Sequence, residues 1–142
     1  MAIEVGTVLP TYKVDRVSPE TMKIWAPILH DPNPIHLDRE AVKAKGLGDR
    51  LINQGPINLG YIVNMLHAAF PGGTISTISN RFVDNVYEDD ALEASAQVTG
   101  VEHVGDKVDI ACDFALRAAE RDLVISGKAI VTLPKAAYAA LA

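Results

Sequence analysis

Residues 30–38 read His-Asp-Pro-Asn-Pro-Ile-His-Leu-Asp, and residues 53–64 read Asn-Gln-Gly-Pro-Ile-Asn-Leu-Gly-Tyr-Ile-Val-Asn. The first stretch offers an acid and an imidazole on one short segment. The second offers the start of a long apolar helix. We expect the rest of the chain to be arranged so that these two stretches are held in place.

The first stretch is predicted to be a stiff loop. Asp31 and His36 lie five residues apart across Pro32 and Pro34. Proline fixes its own φ and disfavours the helical conformation in the residue before it, so Asp31 and Asn33 are pushed toward extended conformations. Asn33 is therefore expected to help shape the loop. Such a loop can point a carboxylate and an imidazole at one place, where both could activate a single water.

The same spacing also allows a purely structural interpretation of the loop. Asp31 could cap a turn through its side chain, and His36 could be a half-buried structural residue. Spacing alone does not choose between the two interpretations.

The second stretch is predicted to begin a helix near Gly55 and Pro56, because a proline in the first turn loses no hydrogen bond. The Gly55 amide and the positive end of the helix dipole could then stabilise a carbonyl oxygen that gains negative charge during a reaction. Alternatively, Gly55 only relieves crowding where the helix enters a packed sheet. Both interpretations stay open at this point.

The composition favours one soluble domain, residues 1–142. Thirteen Lys and Arg against 18 Asp and Glu give a formal net charge of −5, which argues against a nucleic-acid partner. No apolar run approaches the roughly 20 residues that cross a bilayer, and no basic-then-hydrophobic leader is evident. The single Cys112 cannot form an internal disulfide and is expected in the core. We therefore predict a cytoplasmic protein without a membrane partner.

The periodicity of apolar residues predicts an α+β fold with an antiparallel sheet of about five strands around a central helix. Strands are expected over residues 11–17, 74–84, 91–102, 107–118 and 123–133, and helices over 19–29, 39–45 and 57–70. The last four strands, joined by short turns, are expected to form a meander.

Other polar residues carry weaker signals. Asp38 is interpreted as the cap of the helix that follows it. A metal site of Asp31, His36 and Asp38 would have three mixed ligands without further His or Cys, so no metal is predicted. Arg81 and Arg117 are either surface charges or contacts to an anionic cofactor.

Three features resemble the MaoC-like (R)-specific enoyl-CoA hydratases: residues 31–38, the Gly55 that opens an apolar helix, and Phe-Val-Asp-Asn-Val-Tyr-Glu-Asp-Asp at residues 82–90. The likeness covers most of the chain and implies the hotdog fold. It also implies that Asp31 and His36 are catalytic and that Gly55 binds the substrate carbonyl. Two positions differ from the family pattern. His30 stands where the family usually has Gly, and Gln-Gly-Pro at residues 54–56 replaces His-Gly-Met.

The resemblance implies a carbon-oxygen lyase that reversibly hydrates trans-2-enoyl-CoA to (R)-3-hydroxyacyl-CoA. The coenzyme A thioester is then the substrate, and no separate cofactor is expected. A homodimer or higher homo-oligomer is expected, since one small curved sheet leaves exposed edges. The alternatives are a non-catalytic acyl-thioester-binding hotdog subunit of a heteromeric complex and a hotdog thioesterase.

Overall fold

The computed structural model describes residues 1–142, which form five strands, four α-helices and one 3₁₀ turn. In chain order these are β1 Tyr12–Val14, α1 Pro19–Ile28, the 3₁₀ turn Pro34–His36, α2 Arg39–Ala44, α3 Gly55–Ala69, β2 Thr74–Phe82, β3 Leu92–Val104, β4 Lys107–Ala118, β5 Asp122–Pro134 and α4 Lys135–Ala139. No helix among them combines the length and the apolar character that crossing a membrane requires.

The five strands form one antiparallel sheet in the order β1-β3-β4-β5-β2. Strands β3, β4 and β5 form a meander as predicted, but β2 pairs with β5 at the far edge. The prediction that β2 continues the meander is therefore wrong. The connection after β2 is not a tight turn: it leaves the sheet, and the Asn53 amide donates to Val86 O at 2.7 Å. Of residues 82–90, only Phe82 belongs to a strand of the sheet.

Helix α3 is the element that the sheet surrounds. It contacts all five strands, and it buries Ile62, Met65 and Leu66 almost completely. Burying side chains of this size contributes roughly 1.5–3 kcal/mol each relative to leaving them exposed. Its opposite side carries the exposed Asn64 and His67. The five-stranded sheet around a central helix is the expected hotdog arrangement, which is confirmed.

Helix α1 leads the chain into the loop that holds the acid and the imidazole. The Ser18 hydroxyl caps its start by accepting from the Thr21 amide at 3.4 Å. Pro27 lies in the last turn, where it lacks an amide hydrogen to donate, and the helix ends one residue later at Ile28. The position of this end decides where the next residues point.

Candidate active site

The end of α1 aims Asp31. The His30 amide donates to Pro27 O at 3.2 Å, and the Asp31 amide donates to Ala26 O at 2.9 Å. These two bonds form a Schellman ending, in which the residue after the helix cap adopts a left-handed conformation. His30 is that residue, with φ of 51°. Glycine adopts this conformation freely, whereas a residue with a Cβ atom adopts it at a cost.

Two side-chain turns shape the loop that follows. Asp31 Oδ1 accepts from the Asn33 amide at 3.3 Å, and Asn33 Oδ1 accepts from the Ile35 amide at 3.3 Å. The second bond caps the 3₁₀ turn that ends at His36. Asp31 therefore caps a turn, as its structural interpretation requires, but it uses only one carboxylate oxygen to do so. The other oxygen is free to contact His36.

Asp31 and His36 are in direct contact. Asp31 Oδ2 lies 3.1 Å from His36 Nε2, and the side chains are 32% and 7% exposed. His36 Nδ1 lies 2.6 Å from Ile52 O. Because a carbonyl oxygen only accepts, Nδ1 must carry a proton. A favourable contact at Nε2 then requires one more proton between the two side chains. The pair is either an imidazolium with a carboxylate or a neutral imidazole with a carboxylic acid.

The direct contact changes where a water could bind. At 3.1 Å, no water fits on the line between Asp31 Oδ2 and His36 Nε2, so the expected arrangement with a water between the two groups is not found. A water that contacts both groups has to approach from beside the pair. Asp31 borders a surface depression of about 540 Å³, lined also by Ala26, Pro27, His30, Pro32 and Leu37. This depression offers access to the acid.

Gly55 is the first residue of α3, and its amide has no partner in the chain. Gln54 precedes the helix without a capping side-chain bond. The amides of Ile57 and Asn58 both donate to Gln54 O, at 3.1 and 3.2 Å, and Pro56 has no amide hydrogen. The Gly55 amide is thus the one donor of the first turn that stays free, at the positive end of the helix dipole.

The surroundings of Gly55 also fit the crowding interpretation. A Cβ atom at Gly55 would lie 3.3 Å from the Phe82 ring, so a larger residue would press on that ring. Gly55 also lies close in sequence to the residue that binds the His36 imidazole. Ile52, whose carbonyl binds His36, precedes Gly55 by three residues, which limits the separation of their Cα atoms to about 11 Å.

Gln54 ties the start of α3 to α1. It is completely buried, and its Nε2 donates to Met22 O at 2.9 Å. Its Oε1 is buried without a hydrogen-bond partner. Since Asp31 follows the end of α1 by three residues and α3 begins at Gly55, this one side chain connects the two helices that present the candidate residues.

Two of the other polar residues singled out from sequence, Asp38 and Arg117, make side-chain contacts, whereas Arg81 lies exposed on β2. Asp38 Oδ1 accepts from the Glu40 amide at 2.9 Å and so caps α2. Arg117 Nε lies 3.2 Å from a carboxylate oxygen of Asp122, so this cation is paired across the β4–β5 hairpin.

Sequence reasoning did not find Glu88, which contacts Leu51, the residue before the one whose carbonyl binds His36. Glu88 is 3% exposed and accepts two bonds from Arg39, at 2.7 and 2.6 Å, and one from the Leu51 amide at 3.0 Å. The Arg39 guanidinium holds the pKa of the Glu88 carboxyl below its usual range, and burial opposes this only in part. In the sequence, Glu88 is only one of several acidic residues within 82–90. Its partner Arg39 lies 49 positions away, so no local pattern indicates the pair.

Two curated relatives cover much of the chain. The mitochondrial 3-hydroxyacyl-[acyl-carrier-protein] dehydratase of Arabidopsis thaliana is 29% identical over 133 residues, which are 93% of this chain and 78% of that protein. The mitochondrial 3-hydroxyacyl-[acyl-carrier-protein] dehydratase FERN of Solanum lycopersicum is 29% identical over 112 residues. These are 78% of this chain and 66% of FERN, so the match spans about two thirds of that relative.

Solved structures share the fold over nearly the whole chain. The (R)-hydratase from A. caviae involved in PHA biosynthesis has a TM-score of 0.83 at 22% identity, covering 93% of this chain and 98% of that one. The ChsH1-ChsH2 complex from Mycobacterium tuberculosis has a TM-score of 0.79 at 21% identity, covering 92% and 98%. The family model described as the MaoC like domain matches residues 2–115. The chain therefore belongs to the MaoC-like domain family.

Proposed function

We propose that this chain is a hydratase/dehydratase that reversibly adds water to a trans-2-enoyl thioester and gives an (R)-3-hydroxyacyl thioester, with coenzyme A as the carrier. The observation that carries the proposal is the contact of Asp31 Oδ2 with His36 Nε2 at 3.1 Å. The names of similar proteins, an (R)-hydratase and 3-hydroxyacyl-[acyl-carrier-protein] dehydratases, support the class of reaction.

The proposed mechanism uses the proton that the pair shares. A water beside the pair loses a proton to one of the two groups while its oxygen forms a bond to C3. The pair returns a proton to C2, so that the elements of water are added and the pair is restored. The reverse sequence eliminates water. Only an acid, a base and a donor to the carbonyl oxygen are needed, so the proposal includes no metal and no separate cofactor.

The Gly55 amide is proposed as that donor. During addition, negative charge develops on the thioester carbonyl oxygen, and a fixed donor with no competing partner stabilises it without reorganisation. Gly55 meets this requirement because the first turn of α3 leaves its amide free. The helix dipole adds to the stabilisation.

The test is a screen of trans-2-enoyl thioesters of different chain lengths on coenzyme A and on acyl carrier protein, with the isolated chain. We expect loss of enoyl-thioester absorbance and an (R)-3-hydroxyacyl product, with higher kcat/KM on coenzyme A. Release of free thiol without hydrated product would instead indicate a thioesterase. A faster reaction on acyl carrier protein would overturn the choice of carrier.

A second candidate is a non-catalytic subunit that binds acyl thioesters in a heteromeric complex. The observation that favours it is the Phe82 ring, which packs against Gly55 where a carbonyl donor would have to be accessible. Two structures with this fold, ChsH1-ChsH2 and HadBC, are complexes of different chains by their names. Absence of turnover by the isolated chain, with binding of enoyl thioester retained, would favour this candidate.

A further inference from the structure

An ion pair between the buried Glu88 and the largely exposed Arg39 lies behind the carbonyl that binds His36. Glu88 Oε1 accepts from Arg39 Nε at 2.7 Å and from the Leu51 amide at 3.0 Å, and Glu88 Oε2 accepts from Arg39 Nη2 at 2.6 Å. The Glu88 amide also donates to Leu51 O at 2.8 Å. Glu88 therefore holds both backbone groups of the residue that precedes Ile52.

These contacts close a ring that starts and ends in the catalytic loop. His36 Nδ1 donates to Ile52 O at 2.6 Å, Ile52 follows Leu51, and Leu51 is held by Glu88. Arg39, which binds Glu88, comes three residues after His36 and begins α2. The ring thus joins His36, Ile52, Leu51, Glu88 and Arg39. We call it the Glu88 ring.

Within the Glu88 ring, Nδ1 of the imidazole faces Ile52 O, and Nε2 faces the acid. Nδ1 keeps its proton because Ile52 O accepts from it, and this leaves Nε2 for Asp31. A shift of the Ile52 carbonyl would weaken the bond to Nδ1 and would allow the other tautomer. A bidentate bond between a guanidinium and a buried carboxylate is strong and fixed in geometry, so it is suited to hold that carbonyl.

We propose that Glu88 and Arg39 are positioning residues: they hold the Ile52 carbonyl where it keeps His36 protonated at Nδ1 with Nε2 on Asp31. The kinetic consequence rests on the function proposed above, whereas the effect on the imidazole does not. If the pair served only the stability of the fold, its loss would lower the free energy of unfolding. The protonation of His36 Nδ1 and kcat would then be unchanged.

The test uses Glu88→Gln and Arg39→Met. Glu88→Gln removes the charge in nearly the same shape, and Arg39→Met removes the guanidinium from a side chain that is 55% exposed, so it is the milder change. The matched control is Asp89→Asn, which neutralises the adjacent acid. Asp89 is exposed and pairs with Arg16 at the surface. Asparagine also tolerates its left-handed conformation.

The first measurement is the imidazole ¹⁵N NMR spectrum, with the His36 signals assigned as those that disappear in His36→Ala. We expect wild type and Asp89→Asn to show His36 protonated at Nδ1. Glu88→Gln and Arg39→Met should show part of the His36 population without a proton at Nδ1. The second measurement is hydration kinetics, where both variants should lower kcat by about tenfold or more, as misplaced catalytic groups do, with KM changed less than twofold.

The two variants should also be coupled. Because each breaks the same ring, the double variant should lower kcat no further than Glu88→Gln alone. If Glu88→Gln does not fold, Arg39→Met decides the question. Folded variants that keep the Nδ1 proton on His36 and keep kcat would overturn the inference. Wild type that hydrates no enoyl thioester would contradict the proposed function, and the NMR comparison would still decide the role of Glu88.

Discussion

At the scale of single residues, the proposed chemistry depends on how one proton is shared between Asp31 and His36. The Pro-rich spacing predicted that an acid and an imidazole could meet, because prolines restrict the backbone between them. The atom that fixes the tautomer, Ile52 O, could not be predicted. A backbone carbonyl has no sequence signature, and this one lies 16 positions from His36.

His30 is the residue where a substitution should increase stability. It adopts φ of 51°, a conformation that costs a non-glycine residue roughly 1 kcal/mol. His30→Gly should therefore raise the free energy of unfolding by about 1 kcal/mol in urea titrations. Lys45→Gly is the control, since Lys45 ends α2 with φ of −88° and should gain nothing. If His30→Gly and Lys45→Gly change the free energy of unfolding by the same amount, the backbone at His30 is not strained.

Cys112 should be unreactive in the native protein. Burial, with a smaller contribution from the Asp113 charge, raises the pKa of this thiol to about 11. The thiol therefore stays protonated at pH 8, and the thiolate is the reactive form. A disulfide reagent added at pH 8 should titrate the single thiol only after unfolding in urea. Rapid reaction of one equivalent with folded protein would contradict the burial of Cys112.

At the scale of elements, the connection between β2 and β3 does more than join two strands. Residues 83–91 leave the sheet, support the segment before α3 and supply Glu88. Periodicity located the strands to within a few residues but did not predict that β2 pairs with β5. Both edges of the meander offer unpaired backbone groups, and β3 pairs with β1 instead. Local patterns contain no information on that choice.

The Glu88 pair should make stability depend on pH in one direction. Arg39 lowers the pKa of Glu88 in the folded state. The contribution of the ion pair to the free energy of unfolding is therefore complete above the ordinary pKa of a glutamate, about 4.3. It is lost as the pH falls through the lower pKa of the folded state. At pH 7 Glu88→Gln should cost about 2 kcal/mol in urea unfolding, and the difference from wild type should shrink toward pH 3. A difference that does not change with pH would contradict this pairing.

At the scale of the whole molecule, the fold brings the loop after α1 and the start of α3 to one region. Periodicity alone justified an α+β prediction. The hotdog fold followed from the resemblance carried by residues 31–38, Gly55 and residues 82–90, and it is confirmed. The close approach of Phe82 to Gly55 was not predictable, because it joins the end of an edge strand to a helix start across the tertiary fold.

Self-association should cover the apolar side chains and the strand edge that one chain leaves exposed. Phe82 and Val83, at the end of the edge strand β2, are 55% and 49% exposed, and exposed apolar groups beside an unpaired strand edge favour contact with a second copy. We predict a homodimer or a larger homo-oligomer. Light scattering coupled to size exclusion should report at least twice the chain mass of 15.2 kDa. A single species of that mass at all concentrations would contradict the prediction.

The most direct test of the catalytic assignment is the hydration rate of Asp31→Asn and His36→Ala, followed by loss of enoyl-thioester absorbance. Asp38→Asn, which changes a capping carboxylate in the same loop, serves as the control. Both catalytic variants should stay folded and lose about a hundredfold or more in rate, as expected for the loss of a general acid or base, while the control keeps its rate. A rate near wild type in Asp31→Asn or His36→Ala would contradict the assignment.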